Sequence, residues 1–246
     1  MKRLKSVVFC FSAFTMLFST SASASMILPC QNEVSLATIL QMGSCTIGDK
    51  IISDLIASSA ASGGAIAPTP AGITFDTIGP SGEGIFGLDF GFQLVMNLTA
   101  LSGQTIDFNL AGTTTVAGGA PWLIDDTGLA QTSGVIADGS ATIAEKGCGP
   151  APCTPGTWGL ITFDTGTPMS QTVSHTVFSP TGSVQWDKDF GLGGGQHGLA
   201  TISRSTENWS QVSIGQVPEG GTLMLFGSGL LMLGLVRRRR KGEATQ

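Results

Sequence analysis

The chain has 246 residues, of which 12% are charged, 35 are glycine and none is tyrosine, and its formal net charge is −5. An average globular protein is about 25% charged and about 7% glycine, so this chain has half the usual charge and twice the usual glycine. The composition excludes a coiled coil, a basic nucleic-acid-binding protein and a helix-dominated enzyme. The length allows one large all-β domain or two small ones.

The charges of opposite sign are segregated along the chain. Eight of the twelve basic residues lie at the two ends, and the central stretch 25–216 carries fifteen acidic and four basic residues, a net charge of −11. Lys50, Lys146, Lys188 and Arg204 are those four. A central region this acidic predicts no nucleic-acid partner.

The N-terminus has the pattern of a secretory signal peptide over residues 1–24. Three basic residues precede the apolar run Val7–Phe18, and Ala22-Ser23-Ala24 is a cleavage site of the A-x-A type. The alternative, a membrane anchor, is disfavoured because a spanning helix needs about 20 apolar residues. We therefore expect a signal helix that the Sec translocon and signal peptidase process.

Four cysteines remain after this cleavage: Cys30, Cys45, Cys148 and Cys153. An even number of cysteines in an exported chain favours disulfides. Three pairings are possible, and we favour Cys30 with Cys45 and Cys148 with Cys153 because the sequence-adjacent pairing needs the fewest assumptions. A zinc site is the alternative, but the spacings lack the C-x2-C signature.

The C-terminal region has an apolar run, Gly221–Val236, followed at once by Arg237, Arg238, Arg239 and Arg240. Sixteen helical residues cover about 24 Å, which makes a short transmembrane helix. The arginine cluster is a stop-transfer signal that holds the C-terminus on the cytoplasmic side. The body of the chain is then outside the cytoplasmic membrane.

Val217, Pro218 and Glu219 precede this helix, and the three-part order over residues 217–241 resembles the PEP-CTERM sorting signal. The chain departs from that pattern at Gly220, where the family has a second proline. The resemblance implies an exosortase as partner, with Val217-Pro218-Glu219 as its recognition motif. It also implies transient anchoring in the cytoplasmic membrane, then release to the cell surface or medium, and association with secreted polysaccharide and biofilm. Residues 242–246 form a tail.

The middle of the chain predicts an all-β fold, an antiparallel β-sandwich of jelly-roll type over residues 71–216. Residues 25–70 are expected to be a disulfide-containing segment and linker, with a short helix at Glu33–Gln41 and a loop at Ala57–Pro70. Short apolar or threonine-rich runs then alternate with turn residues. The clearest strand alternates apolar and other residues from Phe86 to Leu98, and its length predicts a bulge near Gly87 or Gly91. Further predicted strands are Ile106–Leu110, Ser133–Ala137, Gly159–Phe163, Gln171–Phe178, Ser183–Trp186, Gly198–Arg204 and Trp209–Ile214.

The sequence has no G-x-S-x-G, H-E-x-x-H or P-loop pattern, so we predict no catalytic residues, no metal site and no cofactor. His175 shares a strand face with two valines and is expected to be a packed or interface histidine, whereas His197 follows a glycine run and is expected to be exposed. Asp125-Asp126 and Asp187 with Asp189 offer oxygen ligands for Ca²⁺, but a solvated turn is the favoured interpretation.

Three functions remain open. The leading hypothesis is a non-enzymatic, exosortase-processed surface or matrix protein with a structural or interaction role, associated with secreted polysaccharide. The alternative is a carbohydrate-binding β-sandwich module, in which Trp122, Trp158, Trp186 and Trp209 would stack on sugars if they were exposed. The third is an extracellular hydrolase, because two carboxylates brought together by folding leave no local motif.

Overall fold

The computed structural model describes residues 27–79, 90–118, 122–149 and 158–213. Within these ranges the chain forms twelve strands, all paired antiparallel, and one α-helix, α1, at Leu36–Met42. Ser35 caps α1, since its hydroxyl accepts a hydrogen bond from the Thr38 amide. The strands are β1 (Val34–Ser35), β2 (Ser44–Ile47), β3 (Lys50–Ser62), β4 (Thr74–Ile78), β5 (Phe90–Ala100), β6 (Thr105–Val116), β7 (Trp122–Ile136), β8 (Ser140–Cys148), β9 (Trp158–Asp164), β10 (Val173–Thr181), β11 (Ser183–Gly193) and β12 (Leu199–Ser213).

These strands form two six-stranded sheets. The first sheet has the order β1-β4-β5-β12-β7-β10, and the second has the order β2-β3-β6-β11-β8-β9. Apolar residues of both sheets join in a single buried core, so the predicted all-β sandwich is confirmed. The finer jelly-roll assignment stays a prediction. The expected signal helix and transmembrane helix lie outside the described residues, within which no helix is long and apolar enough to span a membrane.

The alternating segment that ends at Leu98 is confirmed where it is described. Phe92, Leu94 and Met96 of β5 are buried, as a period of two predicts. The irregularity in this strand lies further along than expected, because the pairing of β5 with β12 shifts register between Ile202 and Arg204, opposite Asn97. Asn97 has a positive φ of 36°. Of the two glycines expected at a bulge, Gly87 lies outside the described residues and Gly91 pairs regularly with Asn208.

Strand β3 corrects one prediction. The expected loop at Ala57–Pro70 is strand as far as Ser62, because the alanines and serines of this segment pair with β6 from Leu110 to Thr105. Small residues lack the strong strand preference of β-branched ones, so this segment carries no local strand signal. Strands β1 to β3 thus lie in the same two sheets as the strands that follow residue 70.

One predicted disulfide is present. Cys30 and Cys45 are bonded across 15 residues, with a Cα–Cα distance of 4.7 Å, and they tie the segment before β1 to β2. Cys148 is also disulfide-bonded. Cys153, the cysteine expected to pair with it, lies outside the described residues. The pairing of Cys30 with Cys45 excludes zinc coordination by these two thiols.

Replacing both members of this disulfide, Cys30→Ala with Cys45→Ala, should lower the free energy of unfolding by about 3 kcal/mol, since a loop of this length then regains its freedom in the unfolded chain. Urea unfolding followed by circular dichroism measures the loss. Ser44→Ala, next to Cys45 on β2, is the matched control and should change stability by less than about 0.5 kcal/mol. An unchanged midpoint in the double variant would contradict the assignment.

Candidate functional site

The terminal motifs predicted from sequence cannot be placed in the fold. Val217, Pro218 and Glu219 lie beyond Ser213, the last described residue, and so do Arg237, Arg238, Arg239 and Arg240. Their roles in sorting and stop-transfer stay predictions. The sites described below all belong to the sandwich.

Three of the four tryptophans belong to the core. Trp158, Trp186 and Trp209 are buried, whereas Trp122 is 41% exposed. The ring of Trp158 stacks on Phe178 with centroids 5.4 Å apart. A buried ring offers no face to a sugar, so of the four only Trp122 can take the stacking role that sequence reasoning considered.

The structure confirms the prediction for His197 but not the packing predicted for His175. His175 is not packed in the core: it lies on the exposed face of the edge strand β10 with Val173 and Val177, and its Nε2 is 3.4 Å from Asp126 Oδ2. Alternation along β10 was predicted, but the strand face that carries His175 and the two valines points away from the second sheet. His197 is exposed, as predicted.

A fully buried charged cluster lies between the sheets and was not predicted. Lys188 of β11 has its Nζ 2.5 Å from Glu207 Oε2 on β12 and 2.9 Å from Glu145 Oε2 on β8, and none of the three side chains is exposed. Thr127 Oγ1 donates a hydrogen bond to the other oxygen of Glu207, Oε1, at 2.5 Å. The approach of Lys188 to Glu145 is an ion-pair contact without the alignment of a hydrogen bond.

The surroundings of this cluster are aromatic. Lys188 Nζ lies 5.5 Å from the ring centroid of Phe92 and 5.8 Å from that of Trp186. Burial raises the pKa of Glu207 well above its usual range, and the neighbouring charge of Glu145 raises it further. Burial alone would lower the pKa of Lys188, but the two glutamates raise it above its usual value. Because Glu145 and Glu207 are fully buried, no substrate can reach their carboxyl groups.

A sequence signal for the cluster existed. Lys188 occupies the inward phase of β11, between the buried Trp186 and Phe190. The predicted strand ended at Trp186, because Asp187-Lys188-Asp189 resembles a turn. A strand extended by two more residues would have placed a lysine in the core and required an acidic partner for it.

A cleft of about 540 Å³, here called the end cleft, opens between the segment 64–73 that joins β3 to β4 and the end of β5. Its walls are largely apolar, and Ile66 and Leu101 on its rim are 87% and 51% exposed. Four polar side chains also line it: Thr69, Asn97, Thr99 and Gln104. Sequence reasoning missed this site because segment 64–73 and β5 meet only through folding.

A smaller cleft of about 230 Å³, here called the acidic cleft, lies on the outer face of the second sheet, where the side chains of Asn109, Lys146, Asp187 and Asp189 line it. Asp187 accepts a hydrogen bond from Asn109 at 2.5 Å and pairs with Lys146 at 3.1 Å. Burial raises the pKa of Asp189, and the charges of Asp107 and Asp187 raise it further.

The structure brings Asp187 and Asp189 together on strand β11 and does not place them in the solvated turn that was favoured. No group of three or more histidine, cysteine or acidic side chains within the described ranges is arranged to hold a metal ion. Asp125 and Asp126 lie on β7, in the other sheet. The two acidic pairs proposed as calcium ligands are therefore not combined in one site.

Comparisons with known proteins identify no family. No family model matches the chain, and no curated protein matches it. Among solved structures, the enzymatically active domain of tailspike protein 4 of bacteriophage CBA120 aligns with 64% of this chain and 20% of its own, at 10% identity and a TM-score of 0.28. TmCBM61, in complex with β-1,4-galactotriose, aligns with 63% of this chain and 88% of its own, at 11% identity and a TM-score of 0.29. The chain thus spans a fifth of the tailspike domain's length, and scores this low carry no argument about function.

Asp189→Asn should raise the urea midpoint at pH 7. The folded-state pKa of Asp189 lies above its unfolded value, so the stability it contributes is fully present below that unfolded value, about 3.9, and is lost as the pH rises through the folded pKa. An uncharged asparagine avoids this loss. The gain over the wild type should therefore shrink to nothing as the pH falls below about 4.

Asp164→Asn is the matched control with the opposite sign. The Gly166 amide lowers the pKa of Asp164, as do the hydroxyls of Ser170 and Ser133, so its contribution is present above the unfolded pKa and is lost as the pH falls through the folded one. This variant should lose stability at pH 7 and approach the wild type in acid. Stability changes of the same sign in the two variants at pH 7 would contradict one of the two assignments, and the direction of the change identifies which.

Proposed function

We propose that this chain is an exported β-sandwich protein without catalysis of its own, which binds secreted polysaccharide and is displayed by exosortase processing. The observation that carries the binding proposal is the end cleft. Its volume, about 540 Å³, lies within the range of 300–1,000 Å³ that small-molecule sites occupy. The body around it is strongly acidic, which suits solubility outside the cell.

The chemistry of the end cleft suits a sugar. A pyranose ring has C–H faces that pack on apolar side chains and hydroxyls that need hydrogen-bond partners. Ile66 and Leu101 supply exposed apolar surface, and Asn97 and Thr99 supply exposed amide and hydroxyl groups beside it. Gln104 is fixed in place, because its Oε1 accepts a hydrogen bond from the Leu101 amide at 3.0 Å. Its Nε2 group is a further donor for a ligand hydroxyl.

The second candidate function is a hydrolase at the acidic cleft. Asp187 and Asp189 are two residues apart on β11, so their side chains share a face at about 7 Å spacing. The raised pKa of Asp189 is the property of a general acid, and Asp187 is held by Asn109 and Lys146. Carboxyl groups at about 6.5–9.5 Å are typical of inverting glycosidases.

The end-cleft proposal is tested with Ile66→Asp in the mature protein, with the exopolysaccharide purified from the same culture as the probe. A charge at this apolar rim should weaken binding about tenfold, which corresponds to about 1.4 kcal/mol. Affinity electrophoresis and calorimetry measure it. Ile56→Asp is the matched control, since Ile56 is equally apolar and 68% exposed but does not line the end cleft.

Equal affinity of the Ile66→Asp variant and the wild type would contradict the end cleft as the binding site. Absence of wild-type binding would contradict the polysaccharide proposal. Release of new reducing ends from the polysaccharide by the wild type but not by Asp189→Asn would establish the hydrolase instead. Trp122→Ala tests whether the polysaccharide stacks on the exposed tryptophan instead of entering either cleft. This variant should bind the polysaccharide with the affinity of the wild type.

The sorting proposal predicts two cleavages, one near Ala24 and one at the motif Val217-Pro218-Glu219. The mature protein released from the cell surface should then lack the apolar run Gly221–Val236 and the arginines that follow it. Intact-mass analysis measures both ends and any attached modification. A surface protein that retains the C-terminal apolar run would contradict exosortase processing, and the same mass from cells without the exosortase would do so independently.

A further inference from the structure

The buried cluster of Lys188, Glu145 and Glu207 has no part in the proposed binding function. Its members come from both sheets: Lys188 and Glu145 lie on β11 and β8 of the second sheet, and Glu207 lies on β12 of the first. Burial of charge without full compensation is costly, and a cluster of three ionisable groups is a poor way to stabilise a core. The arrangement instead places an amine against a carboxyl group in a closed apolar site.

We propose that Lys188 and Glu207 form an intramolecular amide bond, with Glu145 as the proton carrier, so that a covalent link joins the two sheets. Three features of the geometry support it. Nζ of Lys188 is 2.5 Å from Oε2 of Glu207, the side chains are fully buried, and a second carboxyl group contacts the same nitrogen at 2.9 Å. Lysine amines and carboxyl groups are both known participants in covalent chemistry within proteins.

The protonation states of the cluster suit this reaction. An uncharged total requires one ammonium, one carboxylate and one carboxylic acid. The raised pKa of Glu207 makes it the carboxylic acid, which is more electrophilic at Cδ than a carboxylate is. Lys188 begins as the ammonium and Glu145 as the carboxylate. These groups come from β8, β11 and β12, and the other described contacts of the cluster, Thr127 of β7, Phe92 of β5 and Trp186, do not titrate.

The step balances without an oxidant or a cofactor. Glu145 takes one proton from the Lys188 ammonium, and the free amine attacks Cδ of Glu207 to form the C–N bond. Glu145 then gives a proton to the departing oxygen, Oε2, and the C–Oε2 bond breaks to release water. The nitrogen returns its surplus proton to Glu145. The products are a secondary amide, one water molecule and a neutral Glu145, so the core no longer holds a charge.

Thr127 and the aromatic walls favour the forward reaction. The Thr127 hydroxyl donates a hydrogen bond to Oε1 of Glu207, the oxygen that becomes negative when the nitrogen attacks and then becomes the amide carbonyl. Trp186 and Trp209, both buried, help to enclose the site with Phe92. Exclusion of water from such a site disfavours the reverse hydrolysis.

Peptide mapping of the mature protein tests the bond. After denaturation, reduction and alkylation, trypsin should fail to cleave after Lys188, because its amine is acylated. The fragment 147–204 should instead be found joined to the peptide that begins at Ser205, at a mass lower than the sum of the two by one water molecule. Fragmentation must place the link between Lys188 and Glu207, since loss of water at an aspartate elsewhere would leave the two peptides separate.

Variants test the assigned roles. Lys188→Met must abolish the link. Lys146→Met, which removes the exposed lysine that follows Glu145 on β8, must retain it. Glu145→Gln should leave Lys188 and Glu207 unlinked in a protein whose near-ultraviolet circular dichroism is native. Thr127→Val should link more slowly when newly synthesised, still unlinked protein is sampled over time by the same peptide mapping. A folded wild-type protein that yields the peptides of Lys188 and Glu207 separately, at unmodified masses, would overturn the proposal whatever the variants do.

A folded Glu145→Gln variant that links at the wild-type rate would overturn the role of Glu145 as proton carrier. If that variant does not fold, the rate at which newly synthesised Thr127→Val protein becomes linked decides whether the cluster's own groups promote the reaction. Equal linking rates in Thr127→Val and the wild type would overturn the claim that the cluster's own groups promote the reaction. Neither result depends on polysaccharide binding, so the covalent link and the proposed function stand or fall separately.

Discussion

The contact of one buried lysine with two buried glutamates constrains how the two sheets can pack. Lys188 has to face the first sheet at the height of Glu207, so the position of β11 relative to β12 is fixed by charge as well as by shape. A slip of either strand by one residue would turn its charged side chain to the outer face and leave the partner uncompensated in the core. Apolar packing alone tolerates such errors more readily than a buried ion pair does.

Burial also changes the charge that the protein presents. Of the four basic residues in the central stretch, Lys50 and Lys188 are buried. Lys50 lies over the ring of Phe90 beside Asp49, and Lys146 on the surface is paired with Asp187. The exterior of the sandwich therefore carries less positive charge than the number of basic residues in the sequence suggests. Binding of an acidic polymer would then depend on hydrogen bonds rather than on attraction between opposite charges.

The fold class could be predicted because alternation with a period of two is a local property, as the buried face of β5 confirms. The disulfide between Cys30 and Cys45 could be predicted by pairing the cysteines that are adjacent in sequence. Strand β3 was missed: no strand was predicted before residue 57, and the part from Ala57 to Ser62 was predicted to be a loop. The small residues of that part carry no local preference, and the pairing of β3 with β6 is a long-range interaction. The charged cluster was missed for a related reason: Asp187 and Asp189 face outward, and their polarity concealed that Lys188 between them faces inward. The end cleft could not be predicted, since it exists only where separate segments meet.

The distribution of the aromatic residues gives the molecule a built-in optical signal. The chain has no tyrosine, and three of its four tryptophans lie in the core, with the rings of Trp186 and Trp209 only 6.2 Å apart. Ultraviolet emission from the folded protein thus comes mainly from indoles shielded from water, at short wavelength. Two indoles this close also couple their electronic transitions, so separation of the two sheets would change the circular dichroism and the emission colour together, without any attached dye.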